Sequence, residues 1–163
     1  LLSLLGGIDR SIDKDIPSLR DFTYQTDVKG FLNFPWGTTK EAVIAGMGQE
    51  IYSDEGKQLI FLGVDKYLGY DYAIGFNFED NKLISAGYII LEEFKTPIEI
   101  WDASQVIRRN VNKQYGEAKL TIVNQNLIEY NWFLPSTKIR LMITVKRGIL
   151  VFGLTYFDRR FIE

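Results

Sequence analysis

Thr96-Pro-Ile-Glu-Ile-Trp-Asp-Ala-Ser-Gln-Val-Ile-Arg-Arg-Asn-Val-Asn-Lys-Gln-Tyr-Gly116 is the clearest helix in the chain, and its position divides everything around it. Thr96 and Glu99 have capping-box spacing, with Pro97 at the first helical position. Ile100, Ala103 or Ser104, Ile107, Val111 and Tyr115 fall on one stripe, and Gly116 supplies the stop. Arg108, Arg109, Asn110 and Lys113 lie largely off that stripe and are expected to face water.

Three strand patterns precede this helix and three follow it. Before it, Leu59–Val64 is an apolar run, Tyr72, Ile74, Phe76 and Phe78 alternate with small or polar residues, and Leu83–Leu91 is a second run. The polar Glu79-Asp-Asn-Lys82 stretch would close a hairpin between the latter two. After the helix, alternation is carried by Ile128, Tyr130 and Trp132, then Ile139, Leu141, Ile143 and Val145, then Leu150, Phe152, Leu154 and Tyr156. The last of these is apolar on both sides and is expected in the sheet interior. Corresponding starts are offset by 68, 67 and 67 residues, a spacing that suggests a tandem structural repeat.

A second helix should open the first half. Thr38 and Glu41 have capping-box spacing, which predicts a helix from about Thr39 to Ala45, ended by Gly46 and Gly48. It is too short to persist alone and must pack on the sheet. The expectation is therefore an α+β fold of two units, each a helix plus a three-stranded antiparallel meander. They would share one sheet with helices on one side, or form two lobes. The boundaries read as a leader or linker over 1–30, with a weak helix signal at Ser18–Tyr24, a first unit over 31–91 and a second over 92–163.

Composition removes several kinds of chemistry. The 163 residues include no Cys and no His, so thiolate nucleophiles, histidine-based triads and Cys- or His-ligated metals are excluded. Carboxylate chemistry survives, through Asp65, Asp71, Glu79 and Asp80 at or between strand ends, although spacing alone shows no convergence. Turn solubility explains these four adequately, and no catalytic, cofactor or metal residue is assigned. The net charge of -2 gives no reason to expect nucleic acid, even though residues 137–163 hold six basic and two acidic groups. No segment has the apolar length of a membrane-spanning helix. The opening Leu1–Gly7 stretch has the apolarity of a signal-peptide end without its basic flank or length.

Aromatic residues are the remaining signal: eleven Phe, nine Tyr and three Trp. Tyr67 and Tyr70 flank Gly69 in a segment joining two strands, where a ring and a wet hydroxyl would suit a rim. With Trp36 and Trp132 they form the candidate ligand or partner surface.

The run Phe34-Pro-Trp-Gly-Thr-Thr-Lys-Glu-Ala-Val43 resembles the lead-in to the first helix of small bacterial extracytoplasmic proteins, several of them lipid-anchored. The strand–Asn77-Phe-Glu-Asp-Asn-Lys-Leu83–strand pattern and the helix ending Gln114-Tyr-Gly116 look like the same group. At greater distance, the helix-before-meander arrangement is similar to SmpA-type outer-membrane assembly lipoproteins and to the tandem domains of beta-lactamase inhibitor proteins. The resemblance covers residues 31–157 and implies binding or scaffolding, with no catalytic residue to carry across. It implies an extracytoplasmic location, periplasmic, envelope-associated or secreted. With no cysteine for a lipid, membrane association would require an anchor outside this chain. The leading expectation is a non-enzymatic protein that contacts another protein; the alternative is a carrier of a small apolar ligand in a cleft between the halves.

Overall fold

A computed structural model of the chain describes residues 27–124 and 126–162. Helix α2 (Pro97–Tyr115) has both arms of the predicted capping box: Thr96 Oγ1 accepts from the Glu99 amide at 3.2 Å, and Glu99 Oε2 accepts from the Thr96 amide at 3.3 Å. Ile100, Ala103, Ser104, Ile107 and Val111 are the stripe it buries.

Eight strands form one continuous antiparallel sheet. The first half supplies β3 (Ser53–Asp54), β4 (Gln58–Leu62), β5 (Tyr72–Glu79) and β6 (Lys82–Ile90). The second supplies β7 (Leu120–Val123), β8 (Leu127–Phe133), β9 (Thr137–Lys146) and β10 (Ile149–Asp158). Their order across the sheet is β3-β4-β5-β6-β10-β9-β8-β7. Each half is thus a helix followed by a meander, and the halves join through their last strands in a pseudo-twofold arrangement. The shared-sheet alternative is the one observed, and β10 is interior as its two-sided apolarity predicts. The meanders have four strands rather than three, because the short strands β3 and β7 add to them, each paired on one side only among the described residues.

Register assigns each side chain to a face. Leu59 lies opposite Phe76, Phe76 opposite Ala86, Ala86 opposite Tyr156, Tyr156 opposite Ile139 and Ile139 opposite Trp132. These residues point to the layer that holds both helices, and all belong to a single apolar core with Val43 of α1 and the α2 stripe. Helix α1 (Lys40–Met47) contributes only Val43 to full burial. It differs from its sequence expectation in two ways. Thr39, not Thr38, is the cap, accepting from the Ala42 amide, while Thr38 Oγ1 donates to the Pro35 carbonyl at 2.6 Å. Glu41 forms no capping box with Thr38: Asn81 Nδ2 donates to its Oε2 at 3.0 Å, and its carboxylate also meets the Thr39 hydroxyl. The helix ends two residues later, at Met47, with Gly48 as its cap, whose φ of 60° is the left-handed conformation glycine adopts without cost.

Residues 27–37 strap the two halves together. They contain a small hairpin, β1 (Gly30–Phe31) with β2 (Phe34–Pro35). Asp27 accepts from the Ser136 amide at 2.9 Å and hydroxyl at 2.5 Å, Thr137 Oγ1 donates to the Val28 carbonyl, and Trp36 Nε1 donates to Thr137 Oγ1 at 2.8 Å. Residues 27–30, assigned above to a leader, are therefore integral to the fold. The weak helix signal at Ser18–Tyr24 lies outside the described residues.

Glycines at the centre of the sheet differ in what they tolerate. A Cβ on Gly87 would lie 2.2 Å from the Leu154 carbonyl oxygen on the adjoining strand, whereas one on Gly75 would meet only Ile89 Cδ1 at an ordinary 3.5 Å. Gly87→Ala is therefore expected to lower the unfolding free energy by about 3 kcal/mol. Gly75→Ala should leave it within about 0.5 kcal/mol of the parent. Urea unfolding of the two variants checks the contrast, and equal effects would contradict the register given for β6 and β10.

Candidate functional site

The four aromatic residues marked from sequence are not one surface. Trp132 is fully buried, and its Nε1 donates to Asn112 Oδ1 at 3.0 Å and to the Gly116 carbonyl at 2.9 Å. It ties β8 to the end of α2 and lines no partner face. Trp36 is half-buried in the strap. Tyr67 and Tyr70 sit at the ends of a tight turn, exchanging two backbone hydrogen bonds of 3.0 Å around Leu68 and Gly69, both at positive φ. The turn sends the rings to different places. Tyr67 stacks on Tyr88 with centroids 4.0 Å apart and planes 9° from parallel, while Tyr70 lies 6.2 Å from Phe94.

The four carboxylates are likewise dispersed in local roles. Asp65 accepts from the Tyr72 hydroxyl at 2.8 Å, Asp71 pairs with Lys66 at 2.5 Å, Glu79 pairs with Lys57 at 3.1 Å, and Asp80 occupies the β5–β6 turn. Among the described residues, no group of three or more Asp or Glu could hold a metal ion.

Two features do stand out, and they lie on opposite sides of the β6–β10 seam. On the helix side is a crevice of about 720 Å³, bounded by the strap, by Gln114 and Tyr115 at the end of α2, and by Tyr88 and Tyr156 on the two central strands. Phe31 meets Tyr88 edge-on at 5.2 Å and Tyr156 at 5.3 Å, so the rings at its base are fixed against one another. The Tyr156 hydroxyl is bonded to that of Tyr115, and burial raises the pKa of both phenols, as it does for Tyr67 and Tyr88. Sequence reasoning missed this cluster because its members come from five separated segments.

The other side is the sheet face that no described helix covers. Its central row runs Ile60, Gly75, Gly87, Thr155, Arg140 and Asn131 from β4 to β8. The next row runs Leu62, Ala73, Ile89, Gly153, Met142 and Glu129. Glycines at three of these positions leave a shallow trough at the seam. The first-half positions of these two rows carry no charge, the charges of that half lying at the strand end in Glu79, Lys82 and Lys57, and the polar groups between bond one another: Gln58 Nε2 donates to Asn77 Oδ1 at 3.1 Å, and Asn77 Nδ2 to Ser85 Oγ at 3.0 Å.

The second-half portion carries cations on aromatic supports. Arg140 lies 4.8 Å from the Phe157 ring centroid and Lys138 lies 5.4 Å from that of Phe133. Burial depresses the Lys138 pKa, Glu129 opposes that shift, and the Arg140 charge adds to it. Ala73, Ser85 and Asn131 on this face are buried, and its two portions differ in charge: the rows of β4, β5 and β6 are neutral, while β8 and β9 carry Glu129, Lys138 and Arg140.

Compared with known proteins, the chain matches no family model, no curated protein and no solved structure.

The tyrosines set the alkaline behaviour. Burial, reinforced by the bond to Asp65, pushes Tyr72 up to about 12, and Tyr67, Tyr88, Tyr115 and Tyr156 are also raised from the ordinary 10. The unfolded chain then loses phenolic protons before the folded one, so stability holds below pH 10 and falls as pH rises above it. The urea midpoint should drop between pH 10 and 12, with a shallower drop in Tyr72→Phe. A flat midpoint over that range would contradict the burial of these hydroxyls.

Proposed function

We propose that this protein is a non-enzymatic binding or scaffold protein that docks another protein on the face of its sheet that no described helix covers. The observation that carries the reading is the pair of neutral, glycine-notched rows across β4, β5 and β6, bordered by Arg140 and Lys138. An apolar ridge on the partner would fill the trough, and a carboxylate beside that ridge would meet the two cations. Charge complementarity of this kind fixes orientation as well as attraction. A second copy of the same face is a poor occupant, since it would bring cations toward cations. The bacterial extracytoplasmic setting implied by the Phe34–Val43 resemblance accompanies this proposal.

Leu62 and Val151 are exposed on this face, and Ile98 is exposed on α2, on the opposite side of the protein. A photo-crosslinking amino acid at Leu62 or Val151 should trap one discrete protein adduct in extracts of the source organism, and the same amino acid at Ile98 should trap none. Arg140→Gln should weaken the adduct about tenfold. Gly75→Ala, which begins to fill the trough without unfolding the sheet, should weaken it as well. Equal adducts at Ile98, or none from the face, would overturn the proposal.

A further inference from the structure

The crevice on the helix side has a chemistry distinct from that of the open face. Asp27 and Lys29 are the formal charges along its wall. Asp27 already serves Ser136 with both oxygens, and α2 ends at the crevice with the negative end of its dipole. An anionic ligand would meet that end and Asp27, while a cationic one would meet Lys29. Neither sign of charge finds an unopposed counterpart.

Hydrogen-bonding groups are unbalanced in a different way. Two of the strap's carbonyls are engaged, that of Val28 by Thr137 and that of Lys29 by Trp36. The Tyr115 and Tyr156 hydroxyls bond each other, which uses one of their two O–H groups and leaves the other still to be used. The Tyr88 hydroxyl has no hydrogen-bond partner among the described residues. Beside the Asn33 and Gln114 amides, the crevice thus offers phenolic donors, which are protonated at neutral pH. Around them stand flat apolar surfaces, with Phe31 set by Tyr88 and Tyr156 in front and Tyr67 stacked on Tyr88. A site held this rigidly before binding loses little entropy when it is filled.

We propose that this crevice binds a small, neutral, planar ring compound carrying a carbonyl oxygen, with the ring against Phe31 and Tyr88 and the oxygen accepting from the Tyr88 hydroxyl and from the spare O–H of the Tyr115–Tyr156 pair. Its volume of about 720 Å³ is that of an ordinary small-molecule pocket. The site is independent of the sheet face, which lies on the opposite side of the same two strands.

The test is titration of the intact chain with 7-methoxycoumarin, a neutral two-ring lactone, followed by two-dimensional NMR. Saturable shifts are expected at residues 28–34, Tyr88, Tyr115 and Tyr156, and not at Gly75 or Met142. Tyr88→Phe keeps the ring packing and should weaken binding about fivefold with an unchanged melting temperature. Coumarin-3-carboxylate and 1-naphthylmethylammonium should each bind at least about tenfold more weakly. No saturable shift, shifts on the open face, affinity indifferent to Tyr88→Phe, or a charged probe or cellobiose binding as tightly would each overturn the proposal.

Discussion

The antiparallel pairing of β6 with β10 is the constraint on which the rest of the molecule depends. It runs from Ile89 opposite Gly153 to Ser85 opposite Phe157 and turns two small meanders into one eight-stranded sheet. Without it, each half would present an edge strand rich in apolar residues, and its core would be too small to stand alone. With it, Ala86, Tyr88, Leu154 and Tyr156 become the floor of a single core reaching from Leu59 to Trp132. Gly87 is what permits so close an approach, since its missing Cβ is the space that the Leu154 carbonyl occupies.

Both candidate sites are consequences of that seam. The two helices are unequal, with α2 covering the second half while α1 secures only Val43. The strap and the Tyr67 turn complete the first half's cover, and the crevice lies where strap and α2 fail to meet over the central strands. Underneath, the small residues that let the strands come together leave the trough on the open side. One structural requirement, close strand approach at a pseudo-twofold junction, thus shapes a pocket above the sheet and a groove below it.

Much of this was legible in the sequence, for reasons that are local. The α2 boundaries follow from a complete capping box, a proline and a terminal glycine, each acting within a few residues. Tyr130, Trp132, Leu141 and Phe152 alternate cleanly because one face of their strands is buried, and β10 is central because both its faces are apolar. What could not be read depends on distant partners. Strands β3 and β7 are too short to show a pattern and exist through one neighbour each. Thr38 and Thr39 are equally good caps by type, and only the Pro35 carbonyl and Asn81 decide between them. Trp132 resembles a surface aromatic until Asn112 and Gly116 satisfy its indole N–H inside the core. The tyrosine crevice gathers segments about a hundred residues apart and has no linear signature.

Native-state hydrogen exchange, read amide by amide, shows whether the halves are one cooperative body joined at β6 and β10. In one body the paired amides of β5, β6, β9 and β10 exchange only through global unfolding, with one common free energy in both halves. Exchange of β4, β5 and β6 at a distinctly lower free energy while β8, β9 and β10 stay protected would show two separable domains, and would contradict the single body.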